Sequence, residues 1–373
     1  MPQIPDVTVL GGGIAGLAAA LACAARGRTV EVLEQAPALT EVGAGLQIAP
    51  NGGRVLDALG VRVPAPAVEN RAIHLIDGPS GRPVVRIPLG PGFRLVHRAD
   101  LIAVLADAAR AADVTLRLGA PVARIGEGGR MLHLASGASH ETRRLIGADG
   151  VRGASRAFVA PDHAPRFTGQ VAWRALVPCD PRWPAEAQVH MGAGRHLVCY
   201  PLRGGRLLNI VAVEERAGWV IDGWSHEDDP DALRAAFAGF AGPIRAVLRR
   251  VDRVHLWGLM DHGATPRWTR GGCTLIGDAA HPTLPFLAQG ANLALEDAWT
   301  LAAAPDDPAA WEAARRPRVT RALRAAAGNA RNYHLTGARR RAAHAALRLA
   351  GLVRPEALLR RYDWLYKADV TRT

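Results

Sequence analysis

Residues 6–34 constrain the chain more than any other stretch. Asp6–Leu10 is a short β-branched run, Gly11, Gly13 and Gly16 follow it as G-x-G-x-x-G, and a helical pattern runs from Ile14 to Arg26. A second β-prone run, Thr29–Leu33, ends at Glu34. Strand, glycine turn, helix and strand in this order form a dinucleotide-binding unit. Gly11 permits the tight turn, Gly13 lets a pyrophosphate approach the backbone, and Gly16 lets helix and strand pack closely. Ile14 and Ala15 lie in the same turn, beside the expected ligand. Glu34, about 20 residues beyond the glycines, is placed for a ribose 2′-hydroxyl and disfavours a 2′-phosphate; Gln35 follows it. A chain that starts this way is expected to be α/β with a parallel sheet.

A second constraining stretch is 271–303, GGCTLIGDAAHPTLPFLAQGANLALEDAWTLAA. Cys273–Ile276 is an apolar β-prone run that stops at Gly277-Asp278, where a carboxylate projects from the strand end. Pro282 and Pro285 forbid regular pairing, and Gln289-Gly290 closes the loop. From Ala291 the pattern is helical, with Ala291, Leu295, Ala298, Trp299 and Ala302 on one stripe and Glu296, Asp297 and Thr300 off it. The loop thus delivers a helix N-terminus at Gly290, Ala291 and Asn292. Its free N–H groups suit a ligand atom that carries or gains negative charge, and Asp278 suits a hydroxyl donor.

With 373 residues the chain can form two intertwined domains, and no apolar run approaches the roughly 20 residues of a membrane span. No basic segment followed by an apolar stretch opens the sequence, so the cytoplasm is the expected location. The net charge of +12 invites a nucleic-acid or membrane-surface partner. Against that, Lys367 is the only lysine, and the arginines are spread along an Ala-, Gly- and Pro-rich chain without an aromatic-interleaved stripe. Cys23, Cys179, Cys199 and Cys273 stand alone, which argues against a metal site or a disulfide framework and for buried small hydrophobes.

Elsewhere, Gly43–Gly52 reads as a Gly-rich loop opening a helix around Gly53–Leu59. Ala72–Ile87 is β-like with a turn at 78–81, a first excursion into a second domain. A helix is expected over Asp100–Ala112, with strands at Val114–Leu118, Val122–Ile125, Met131–Leu134 and up to Ala148-Asp149-Gly150. Residues 166–262 alternate as an antiparallel sheet: Gln170–Val177, Ala187–Met191, His196–Pro201 and Leu207–Val213. With period 2, His196, Val198 and Tyr200 share one face and Leu197 and Cys199 the other, so one face can form a pocket wall. Asp231–Arg250 reads as a helix pair broken at Gly242-Pro243. Pro308–Asn332 and Gly337–Leu349 are helical, and their spaced arginines suggest a solvated face. Tyr362–Tyr366 is expected to dock through its aromatic rings.

Three motifs together resemble the FAD-dependent aromatic hydroxylases, the single-component group that includes salicylate and hydroxybenzoate hydroxylases. They are the glycine turn, an Ala-Asp-Gly at 148–150 followed by Arg156, and Gly-Asp-Ala-Ala-His-Pro at 277–282 with Pro285, Gln289-Gly290 and Glu296-Asp297-Ala298. His97-Arg98-Ala99-Asp100-Leu101 resembles the family's H-R-x-x-L, and Gly45 and Gln47 lie in a segment similar to one that runs along its cofactor. The middle motif departs from the pattern, with Gly153 where a serine is expected and Ser155 displaced by two. The resemblance implies that Arg98, Asp149, Arg156, Asp278, Pro285, Gln289, Gly290, Ala291 and Asn292 serve FAD. It also implies that NADH or NADPH reduces the flavin, and that O₂ adds at C4a to give a hydroperoxide that attacks a phenol. The expected fold is a Rossmann-like FAD-binding domain (1–71, 94–160, 263–330) with an inserted, mainly antiparallel substrate domain (72–93, 161–262) and a helical C-terminus (331–373).

The substrate expected from this resemblance is a small phenolic acid between the sheet of 166–213 and the Pro285–Gly290 loop, with Pro285, His196 and Tyr200 as pocket residues. A histidine base suits phenol deprotonation, and His196, His190 and His281 all remain open. No second glycine turn follows a strand, so NAD(P)H would bind transiently. A homodimer is compatible with this reading. Its rivals are a quinone-pathway hydroxylase or an oxidase on the same fold, and a basic nucleic-acid- or membrane-surface-binding protein.

Overall fold

The computed structural model describes residues 4–39, 45–218 and 226–372. The glycine turn follows Val7–Leu10, an interior strand of a six-stranded sheet. Its strands run in the order Thr269–Arg270, Cys273–Leu275, Leu145–Gly147, Val7–Leu10, Val30–Leu33 and Thr115–Arg117. All pairs are parallel except the edge hairpin of 269–270 with 273–275. Val7–Leu10 and Val30–Leu33 are buried throughout, as a parallel sheet covered on both faces requires. The helix Ile14–Ala24 follows the turn. Gly11 has a φ of +101°, and a Cβ on Gly16 would sit 1.9 Å from the Gly11 carbonyl oxygen, so both glycines are required by the crossing itself.

The second sheet has eight strands in the order His226–Asp228, Val254–Asp261, Arg166–Pro178, Leu207–Glu215, Arg195–Leu202, Ala187–Gly192, Ala72–Asp77 and Pro83–Pro88. Only Ala187–Gly192 with Ala72–Asp77 is a parallel pair. Leu197 and Cys199 point into a core with Trp173 and Phe237, under the helices Pro230–Ala236 and Gly242–Leu248. Cys23 and Cys273 are also buried and Cys179 partly so; all four thiols are free.

Two local expectations change. Gly45–Ile48 is a strand, paired with Arg94–His97 in a small three-stranded sheet, and the following helix begins at Pro50. The pairing partner lies too far along the chain to be read locally, and proline is at home in the first helical turn. Gly43 and Ala44 lie outside the described residues. Gly242 and Pro243 likewise begin the second helix of their pair rather than break the first.

The helix Gly290–Ala303 also differs from its expected amphipathic form: Asn292 to Ala298 are buried without interruption. Glu296 and Asp297 are both 0 % exposed. Glu296 accepts from Arg315 Nη1 at 2.9 Å, from Arg318 Nε and Nη2 at 2.8 and 2.7 Å, and from Asn51 Nδ2 at 2.7 Å. Asp297 accepts from Arg315 Nε and Nη2 at 3.1 and 2.8 Å and from the Gly277 N–H at 3.1 Å, and lies 2.5 Å from His281 Nε2. Arg315 and Arg318 come from the helix Pro308–Tyr333, whose arginines were expected to be solvated; these two turn inward because the carboxylates are there. Arg318 also donates to the Trp364 and Leu365 carbonyls, which fixes the C-terminus. Nearby, Tyr366 packs edge-on against Phe93 at 5.1 Å.

Burial alone would raise both carboxyls. Arg318 and Arg315 beside Glu296, and His281 and Arg315 beside Asp297, outweigh it and hold both below the usual carboxylate range. Removing one partner of a buried ion pair strands the other charge. Arg315→Ala is therefore expected to cost about 3–5 kcal/mol in urea denaturation at pH 7. Because the folded carboxyls are lowered, their contribution is present above the unfolded value near 4 and is lost as pH falls through the folded values. The parent should lose stability below about pH 4, and Arg315→Ala should show a weaker dependence in that window.

Candidate functional site

A cavity of about 650 Å³ opens between the two large sheets. One end is walled by Gly13, Ile14 and Ala15 of the glycine turn, by Gly45 and Gln47, and by Arg98. The loop after Cys273–Leu275 contributes Asp278, Pro285, Gln289, Gly290 and Ala291. His196, Val198 and Tyr200 line it as well, on the sheet face that alternation assigns to a pocket.

Several predicted residues shape this cavity from behind instead. Glu34 ends its strand with Oε2 accepting the Gly12 N–H at 2.5 Å and Oε1 the Ala36 N–H at 2.8 Å; Gln35 beside it is exposed. Gly11 and Gly16 hold the crossing. Arg156 is buried and donates to the Ala279 carbonyl at 2.9 Å, bracing the Asp278 loop. Asn292 accepts from the Ala49 N–H at 2.9 Å and donates to Gln47 and Ala288 carbonyls at 3.0 Å, so its amide ties the cavity walls together.

Asp149 also turns inward. It accepts from the Ser155 N–H at 3.0 Å and from the Ser155 hydroxyl, and burial raises its pKa against the pull of those bonds. The departure from the family pattern now has a reason. A Cβ on Gly153 would lie 2.0 Å from the Asp149 carboxyl carbon, so Gly153 makes the room and Ser155 supplies the hydroxyl.

The residues fit FAD. A Cβ built on Gly13 meets no protein atom within 4 Å, an open cradle at a helix start with no side-chain cap. The helix at Gly290 likewise lacks a side-chain cap and opens on the same cavity. The exposed Asp278 carboxylate stands between the two ends, where a sugar-alcohol chain would run. Pyrophosphate, ribityl hydroxyls and a ring that gains negative charge on reduction match these three features in order.

Of the three histidines left open, only His196 lines the cavity. His281 is turned to Asp297, and His190 is on the opposite strand face, 3.2 Å from the Gln188 amide. His196 lies between Phe286 at 5.5 Å and Tyr333 at 5.1 Å, with Nδ1 2.7 Å from His334 Nε2. Burial and His334 push its pKa well down, so the ring is neutral. Tyr200, whose phenol burial raises, packs where Gly45 has no side chain.

Sequence reasoning missed Arg174, which reaches the cavity from Arg166–Pro178 with its guanidinium 4.9 Å from the centre of Trp257. It also missed Asn329, Tyr333 and His334. Asn-Ala-Arg-Asn-Tyr-His, a polar and aromatic cluster ending an Arg/Ala-rich helix, was the available signal.

Residues 5–304 match the FAD binding domain family. The chain belongs to that family. It is 38% identical to 3-amino-4-hydroxybenzoate 2-monooxygenase of Streptomyces cremeus over 357 residues, 88% of each chain. It is 35% identical to 3-hydroxybenzoate 6-hydroxylase of Polaromonas naphthalenivorans over 406 residues, 99% of this chain and 97% of the relative. Among solved structures, Klebsiella pneumoniae HpxO complexed with FAD and uric acid superposes with a TM-score of 0.80 at 27% identity, covering 92% of both chains. A salicylate hydroxylase substrate complex shares the fold, with a TM-score of 0.81 at 24% identity over 100% and 97% of the chains. This FAD-dependent monooxygenase is thus an aromatic hydroxylase of the hydroxybenzoate type. Among its described residues no helix is long and apolar enough to cross a membrane.

The open space at Gly13 separates binding from folding. Gly13→Leu is expected to fold, since a Cβ there meets no protein atom within 4 Å, yet to purify without FAD, whereas Gly16→Leu should not fold because of the Gly11 carbonyl. Flavin absorbance and circular dichroism check both. Asp278→Ala should weaken FAD binding by about 1–3 kcal/mol, read by flavin fluorescence on dilution.

Proposed function

We propose that the protein hydroxylates a small phenolic acid, consuming NAD(P)H and O₂, with His196 as the base that deprotonates the phenol. The observation that carries this reading is a neutral, buried imidazole facing a cavity whose other end fits the cofactor. FAD, when bound, supplies the redox chemistry, accepting hydride and activating oxygen. The chain's own residues bind, orient and exclude water. Removing the phenolic proton raises the electron density of the ring carbon to be attacked.

His196 Nδ1 is engaged by His334, so Nε2 is the nitrogen available to the phenol. Val198, Val211 and Val213 floor the chamber on the same sheet face, and Phe286 packs against Val211 and Val213 and lines it beside them. Arg174 is the partner for the substrate carboxylate, a bidentate and always charged group beside an apolar floor. The relatives named for 3-hydroxybenzoate and 3-amino-4-hydroxybenzoate support an aromatic acid of this size. We read the six-stranded sheet as the FAD side and 72–93 with 161–262 as the substrate side. NAD(P)H then visits transiently, because one strand-glycine-helix turn serves one resident dinucleotide.

The test is NADH- and NADPH-driven turnover of 3-hydroxybenzoate, 3-amino-4-hydroxybenzoate and salicylate, with hydroxylated product counted per reduced nucleotide consumed. His196→Ala should slow turnover on the order of 10²-fold or more while FAD content stays intact. Tyr200→Ala should raise KM for the aromatic acid. Parent-like turnover in both variants would remove this sheet face from the site, and a parent that hydroxylates none of the acids would remove the substrate class.

A further inference from the structure

His196 does not end at the cavity wall. It is 1 % exposed, yet its Nδ1 lies 2.7 Å from Nε2 of His334, itself 6 % exposed, and the opposite nitrogen of His334 lies 2.7 Å from Glu215 Oε1. The Glu215 side chain is 54 % exposed. Three groups from separate segments, strand Arg195–Leu202, the residue ending helix Pro308–Tyr333 and strand Leu207–Glu215, thus make one hydrogen-bonded line from the cavity to solvent.

We propose that His334 and Glu215 form a proton relay that carries the substrate's phenolic proton from His196 to bulk water. The inference rests on the reading of His196 as the base. The His196 ring is almost wholly buried, with the Phe286 and Tyr333 ring centres 5.5 and 5.1 Å from its own, so a proton that it accepts has little direct contact with bulk water. The line supplies the exit.

With Nδ1 protonated on both rings, every N–H in the line points outward. The phenol O–H breaks as His196 Nε2–H forms, leaving the electron pair on the phenolate oxygen. His196 then passes its Nδ1 proton to His334 Nε2, and His334 passes its own Nδ1 proton to the Glu215 carboxylate, which releases it to water. One proton leaves, no electrons move, and the reverse sequence reprotonates the product oxygen. The other groups facing the line do not compete. Arg195 is held by Glu214 at 3.2 Å, the Gln170 amide lies 3.5 Å from His334 Nδ1, and burial pushes the Tyr333 phenol up to about 12. Burial lowers His334 against the pull of Glu215, so it too is neutral and able to accept.

The experiment mixes FAD-loaded enzyme with 3-hydroxybenzoate or 3-amino-4-hydroxybenzoate in a stopped-flow instrument, without NAD(P)H, and follows phenolate absorbance. His334→Leu is expected to form phenolate on the order of 10²-fold more slowly, with the rate recovering as imidazole buffer is added. Glu215→Gln, at a half-exposed position, should slow it less and make it buffer-dependent. A purely structural role for His334 would alter FAD content or KM without buffer rescue. Parent rates without buffer dependence in both variants would overturn the relay. Should His334→Leu fail to retain FAD, Glu215→Gln decides by the same criterion. His196→Ala separates the two claims: if it alone abolishes phenolate formation, the base stands and the relay falls. If it forms phenolate as the parent does, or if the parent forms phenolate of neither acid, both fall.

Discussion

The paired carboxylates Glu296 and Asp297, with Arg315 and Arg318, hold the architecture of the site together. Their partners come from three pieces of it: Gly277 and His281 from the cofactor loop, Asn51 from the helix after the Gly45 strand, and the arginines from the long helix Pro308–Tyr333. Two negative and two positive side chains balance at the centre, and almost every oxygen is shared by more than one donor. Such a cluster costs much to desolvate and is tolerable only when complete. It therefore fixes one arrangement of loop, helix and C-terminus, and misassembly leaves a bare charge.

That rigidity matters because the cavity is assembled from distant segments. The glycine turn and the Gly290 helix present two uncapped N-termini to the cofactor, and the eight-stranded sheet presents a largely apolar face that carries His196, Tyr200 and Arg174. Residues such as Asn292 and Arg156 direct hydrogen bonds to the walls and brace them. Charged groups that do line the cavity, among them Arg98, Arg174 and Asp278, are then set in fixed walls. Where bound ligands displace water, each interaction inside is strengthened and a proton needs a defined path.

Much of this was legible in the chain. G-x-G-x-x-G between two β-prone runs fixes a dinucleotide turn because only glycine fits where helix, strand and ligand cross, and the crossing at Gly11 and Gly16 leaves no room for a side chain. Period-2 alternation placed His196, Val198 and Tyr200 on one face, since a strand cannot turn one of them without the others. What escaped were features set by non-local partners. The Gly45 strand exists because Arg94–His97 lies beside it. Glu296, Asp297, Arg315 and Arg318 read as surface charges until their mutual contact makes burial affordable.

By itself, then, the sequence determined the cofactor turn, the order of the two sheets' strands along the chain and the face that lines the pocket, because each follows from steric rules acting over a few residues. Only the tertiary structure decided that Asp149 belongs to Ser155, that His281 serves Asp297, and that His196 is joined to His334 across 138 positions. A polar side chain takes its meaning from the group it meets, and which group that is depends on how distant segments pack.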